Sequence, residues 1–176
     1  MRETYLISPI TNGRLAQVHS FLITNMAVGD LLMGVYLLLI AGVDLHYRGV
    51  YSVYDSSWRQ SALCRFAGFL STYSSEISVF TLVVITLDRF VAIIFPFRFN
   101  RMTIRHARMV MVTLWAGVAG VAAAPLADVA YFRGFYGRSG VCLALHITPE
   151  RPPGWEYSVF VFLTLNFALL LVIFIA

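Results

Sequence analysis

The sequence predicts an all-α membrane protein with four spans, and three observations carry that expectation. Of 176 residues, 59% are hydrophobic and only 12% are charged, against about 25% charged in a soluble domain. Apolar runs of roughly 20 residues recur four times, the length an α-helix needs to cross a hydrocarbon core of about 30 Å. Polar stretches bearing arginine, glycine or proline separate those runs. One soluble core cannot hide so much apolar surface, so a lipid bilayer is the expected solvent.

Taken in order, residues 1–20 read as a cytoplasmic N-terminal segment or inner loop, with a polar turn at Thr11-Asn12-Gly13-Arg14. No signal peptide is expected, because Tyr5-Leu6-Ile7 is short and Ser8-Pro9 ends it. The first span covers about 21–43 and holds one charge, Asp30. Residues 44–60 are polar and aromatic and read as a loop on the opposite face. The second span covers about 61–95; the 22 residues between Arg65 and Asp88 hold one charge, Glu76. The third covers about 105–127, with Trp115 inside it and Pro125 near its far end. A proline there weakens the last turn, which membrane helices tolerate. Residues 128–156 form a long loop rich in glycine and proline, and 157–176 is the fourth span.

All 13 basic residues are arginine, and the net charge is +4. The densest group, Arg98, Arg101, Arg105 and Arg108, abuts an apolar span. It reads as a cytoplasmic juxtamembrane loop, not a nucleic-acid surface. Counting crossings from that side puts Cys64 and Cys142 on one face, so a bridge between them is topologically allowed. Such a bridge needs an oxidising compartment, which makes that face the outside.

Several residues in the spans are candidates for chemistry. Asp30 is a mid-span carboxyl, a cation or proton site by default, or else a neutral acid bonded to nearby hydroxyls. Ser71, Ser75, Ser78, Leu82 and Arg89 share one helix face. For most of the serines, close helix packing is explanation enough. Ser78 differs, because a serine and a carboxylate on neighbouring spans supply oxygens to a small cation. Glu76 has three open roles: ligand contact, interhelical pairing or a protonated acid. Asp88-Arg89-Phe90 reads either as a switchable charge pair or as a snorkelling one. Trp58 and Trp115 suit interfacial aromatics, and Asn25 and Asn166 suit hydrogen-bonding glue between helices. No HExxH, GxSxG, Walker or Cys/His cluster motif is present, so no enzyme is expected.

Together these residues resemble the rhodopsin-like G-protein-coupled receptors. The family's outer cysteine precedes its third-helix switch arginine by 25 positions, as Cys64 precedes Arg89. Its sodium-site serine lies 14 after that cysteine, where Ser78 stands. Asn25-Met26-Ala27-Val28-Gly29-Asp30 is similar to the second-helix pattern that ends in the sodium-site aspartate. Trp58 matches the first outer loop, Trp115 and Pro125 the fourth helix, Pro96 and Phe97 the second inner loop, and Cys142 the outer-loop disulfide partner. The wording of Phe21–Ala27, Tyr47–Tyr51, Ser75–Val79 and Phe135–Cys142 is similar to relaxin-receptor-type, leucine-rich-repeat-containing receptors and invertebrate orphan relatives.

The resemblance covers roughly 18–176 and implies a partial seven-transmembrane bundle, the family's second to fifth helices. It implies a multi-pass plasma-membrane receptor that carries an extracellular peptide or protein signal to a heterotrimeric G protein. In that reading Asp88 restrains Arg89 at rest, and Arg89, Phe90, Pro96 and Phe97 serve coupling. Asp30 and Ser78 hold an allosteric Na⁺, and Cys64–Cys142 pins the outer loop. Phe90 replaces the usual tyrosine, Ser71 replaces the aspartate of amine receptors, and the last span lacks the proline that many members carry. Two other classes are compatible with the sequence: a truncated, non-signalling partner associating with other receptor chains, and an ion-conducting or transport subunit. The latter predicts broken helices or paired repeats, and neither is visible in the sequence.

Overall fold

The computed structural model describes residues 9–95, 102–127, 130–145 and 153–176, with side chains from residue 16 onward except at position 52. Five helices account for most of it: α1 (Pro9–His46), α2 (Tyr51–Gln60), α3 (Ala62–Ile94), α4 (Ile104–Ala123) and α5 (Trp155–Ile175). The stretch Val159–Leu165 inside α5 is a π-helix. All but α2 are long and apolar enough to cross a membrane. Most of their apolar windows face outward, as spans solvated by lipid require. Among the described residues the architecture is a bundle of four membrane-length helices, as expected for part of a seven-transmembrane bundle.

Two local expectations are corrected. Residues 9–14 are helical, not a polar turn, because α1 already begins at Pro9. A proline suits the first helical position, where its missing N–H has no partner to lose. Gly13 costs about 1 kcal/mol inside a helix, and the continuing ladder outweighs it. Residues 44–60 are not all loop, since Tyr51–Gln60 forms α2. Asp55 and Arg59 pair one turn apart on it, and Trp58, only 3% exposed, anchors it to the bundle.

The helix starts follow from local chemistry. Ser61 caps α3 by accepting the Cys64 N–H at 3.1 Å, and Thr103 caps α4 by accepting the His106 N–H at 3.4 Å. At its far end α4 tightens into a 3₁₀ turn, Ala124–Leu126, around the buried Pro125, which brings no N–H to the ladder.

Helix α3 is the hub, packing on α1, α2, α4, α5 and the outer-loop turn Tyr136–Arg138. Three apolar clusters surround it. At the inner end Val18, Leu22, Ala107 and Met111 join α1 to α4; at the outer end Tyr36, Trp58, Ala67 and Leu70 surround the two cysteines. The third holds Phe135, Tyr136 and Ala144 of the outer loop against Phe69, Tyr157 and Phe162. Three buried hydroxyls of α3 bond to carbonyls of their own helix, Thr72 to Gly68, Ser74 to Ser71 and Thr81 to Ile77. This meets the requirement that polar groups away from water find partners.

Candidate functional site

The candidate residues sit at three levels along α3. At the outer end Cys64 and Cys142 form a disulfide, with Cα atoms 5.4 Å apart. Around it the loop is tied to every span. Tyr36 of α1 donates to the Val141 carbonyl at 2.8 Å, and Trp58 of α2 donates its Nε1–H to the Gly140 carbonyl at 2.7 Å. The Tyr136 hydroxyl donates to the Ala122 carbonyl of α4 at 2.6 Å, and Ser158 of α5 donates to the Ala144 carbonyl. Burial pushes the Tyr136 phenol up to about 12. Gly68 makes this seat possible, because a Cβ there would overlap the Tyr136 ring and the Cys142 carbonyl.

At mid-span two polar pairs flank α3. On the α1 side Ser78 donates its hydroxyl to Asp30 Oδ1 at 3.0 Å. Gly29 lets the helices meet there, since its own Cβ would press on Ser78 Oγ and Ile77. The far side of Asp30 is exposed in this chain. A carboxylate and a hydroxyl on neighbouring spans are hard oxygen donors, the set a small hard cation takes. They fit as part of a Na⁺ shell. On the α5 side Glu76, 1% exposed, accepts a hydrogen bond at Oε1 from Asn166 Nδ2 at 2.8 Å. Its Oε2 is buried with no hydrogen-bond partner among the described residues. Ser71 is buried on the same helix.

Asn25 and Trp115 also come together, with Trp115 Nε1–H donating to Asn25 Oδ1 at 3.1 Å across α1 and α4. Tyr73 stacks edge-on against the Trp115 ring. Trp58 and Trp115 therefore both use their N–H groups inside the bundle. At the inner end Asp88 is half-buried and Arg89 exposed, and they form no ion pair with each other. The restraint expected between them is absent from this arrangement. Phe90 is half-buried beside them, and Pro96 and Phe97 lie outside the described residues. Among the described residues no three His, Cys, Asp or Glu side chains converge as a metal cluster would.

Nothing in the sequence alone gives Tyr136, Tyr157 or Gly68 a role. The aromatic run ahead of Cys142 was the available signal. Tyr157 donates to the Val121 carbonyl at 2.7 Å, four residues before Pro125, where the proline leaves the helix without its usual donor. Tyr136 and Tyr157 thus serve the last carbonyls of α4, which run short of N–H partners.

Four membrane-spanning helices, a disulfide from the outer end of one to the following outer loop, and an Asp-Arg pair at its inner end define a receptor-type membrane bundle. The family profile described as "7 transmembrane receptor (rhodopsin family)" matches residues 6–176. The chain belongs to that family. It is 59% identical to the G-protein coupled receptor GRL101 of Lymnaea stagnalis over 157 residues, which cover 89% of this chain and 14% of that protein. It is 37% identical to relaxin receptor 1 of Rattus norvegicus over 160 residues, 89% of this chain and 21% of the relative. It is 38% identical to the thyrotropin receptor of Felis catus over 159 residues, 90% and 20% respectively. The chain therefore spans about a fifth or less of the length of these relatives, and the relaxin-receptor likeness read from its wording holds.

Proposed function

We propose that this chain is the signal-carrying membrane part of a plasma-membrane receptor that couples an extracellular peptide or protein ligand to a heterotrimeric G protein. The observation that carries the reading is α3 itself. One rigid helix bears the disulfide-tied loop outside, the Asp30–Ser78 pair at mid-span and Asp88-Arg89 inside. The names of the relaxin and thyrotropin receptors support a ligand of the hormone class.

In this reading the exposed Arg89 offers its fork of donors to the G protein, together with Phe90, Pro96 and Phe97. Asp30 and Ser78 hold Na⁺ in the resting state. Na⁺ then opposes agonist because it binds one state more tightly than the other. The decisive experiment measures G-protein activation by the full-length receptor carrying Arg89→Ala. Activation is lost while surface expression is retained; intact activation removes the switch assignment. In the same receptor Asp30→Asn abolishes the Na⁺ dependence of agonist affinity, and full Na⁺ dependence in that variant removes the cation site.

A further inference from the structure

The π-helix in α5 has no local cause. Its sequence, Val159-Phe160-Val161-Phe162-Leu163-Thr164-Leu165, contains neither proline nor glycine, the usual sources of an irregular helix. π hydrogen bonds are also uncommon beyond single turns. Something outside the segment must hold it, and the structure shows ties at both ends.

The outer end is fixed by Tyr157 to the Val121 carbonyl and by Ser158 to the Ala144 carbonyl. The inner end is fixed by one side chain, Asn166. Its Nδ2 group donates to Glu76 Oε1 at 2.8 Å and to the Val161 carbonyl, five residues back, at 3.0 Å. Both hydrogens of that amide are in use. The same side chain thus closes the wide turn and grips α3.

The register follows from geometry. A π turn takes about one more residue than an α turn, so it shifts everything inward of it by about 100° and 1.5 Å. With Tyr157 and Ser158 held, an all-α segment would carry Asn166 about 100° away from Glu76. Only the π register satisfies both ends at once. The pair is also a poor stabiliser, because Glu76 Oε2 is buried without a partner among the described residues, and a half-satisfied buried carboxyl costs free energy.

We propose that Glu76 and Asn166 are positioning residues: their bond holds the π register of α5, and breaking it lets the segment relax to α and turn the inner half of the helix. That half, Asn166–Ile175, packs on α3 through one half-buried face, Asn166, Leu169 and Ile173, and has no fully buried residue among those described, so its rotation has only that shallow packing to break. The register rests on geometry alone. Its use in carrying the signal inward rests on the receptor function proposed above.

The test uses the full-length receptor in lipid nanodiscs, cleared of other reactive cysteines. Spin labels go at Ile93→Cys on α3 and Phe174→Cys on α5, sites 73% and 88% exposed. A surface point at a radius of about 5 Å moves through roughly 7–8 Å when a helix turns about 100°. Glu76→Gln keeps an oxygen acceptor and retains the parent distance. Glu76→Leu and Asn166→Ser both move to one new distance, several ångströms away. Asn166→Ser keeps a small polar side chain in place, so the register remains testable if Glu76→Leu does not fold. Folded variants that keep the parent distance, or Glu76→Gln shifting as far as Glu76→Leu, overturn the register claim. G-protein activation by the same variants is read separately. A shifted distance with unchanged basal and agonist-driven activation overturns the link to signalling and leaves the register standing.

Discussion

Replacing Tyr136 by Phe removes one oxygen from a closed site. The side chain is 1% exposed and its hydroxyl donates to the Ala122 carbonyl at 2.6 Å. Ala122 is itself buried, so water has no ready path to replace the lost donor. The expected cost is the bond plus a carbonyl left short of partners, about 1–3 kcal/mol. Tyr157→Phe is the matched control. Its hydroxyl also serves an α4 carbonyl, but from a side chain that is only half-buried, so it costs about 0.5–1.5 kcal/mol. Thermal unfolding of the purified receptor reads the difference. At roughly 2–4 °C per kcal/mol for a domain of this size, Tyr136→Phe lowers Tm by about 2–12 °C. Tyr157→Phe lowers it by less. A Tm unchanged by Tyr136→Phe, or a larger drop for Tyr157→Phe, refutes the view that Tyr136 closes the end of α4.

Other outcomes follow from the same contacts. Gly68→Ala forces the Tyr136 ring and the Cys142 carbonyl to move, costing about 1–3 kcal/mol; Gly117→Ala, with open space around its Cβ, is neutral or stabilising by up to about 1 kcal/mol. Denaturation midpoints compare the two. Trp115→Phe removes the donor to Asn25 and lowers stability by roughly 1–2 kcal/mol, an effect that Asn25→Ala already in place should largely absorb. Reducing Cys64–Cys142, which closes a separation of 78 residues, costs about 4–5 kcal/mol in a chain-entropy account, and a thiol reagent labels neither cysteine beforehand. The Tyr136 phenol is held up to about 12 by burial, above its ordinary value, so its contribution is full below about pH 10 and is lost as pH rises through about 12. Phenolate absorbance followed alongside unfolding checks that window.

The features legible in the sequence are those that a straight helix turns directly into geometry. Fixed intervals along α3 placed Cys64 at one end and Arg89 at the other, with Ser78 at the level of Asp30. Asn25 and Trp115 likewise meet because each lies mid-span on neighbouring helices. What was not legible depends on distant partners. The π register of Val159–Leu165 has no breaker to announce it and is tied to Glu76 across 90 positions. Tyr136 looked like one aromatic among several until Gly68 and the end of α4 gave it a seat. α2 was hidden because polar composition resembles a loop, and the burial of Trp58 against the bundle decides the matter.

The polar pairs also answer how helices with lipid-like surfaces keep one rotation. Hydrocarbon is as apolar as Leu, so aliphatic burial gives little preference between helix faces in a membrane. Here the preference comes from specific bonds. Asn25–Trp115 sets α1 against α4, Ser78–Asp30 sets α3 against α1, and Asn166–Glu76 sets α5 against α3. Turning one helix by a single residue breaks its pair and leaves a polar group facing hydrocarbon, which is costly. α1 and α3 each carry two of these pairs, whereas α4 and α5 carry one each; α4 is held further by the Tyr73 and Tyr136 hydroxyls on its carbonyls, while beyond Asn166 none of the described residues of α5 is fully buried. Turning the inner half of α5 breaks one such pair, whereas turning α1 or α3 breaks two. The inner half of α5 is therefore where a change imposed on the outer loop, bonded to α5 through Ser158, meets the least resistance.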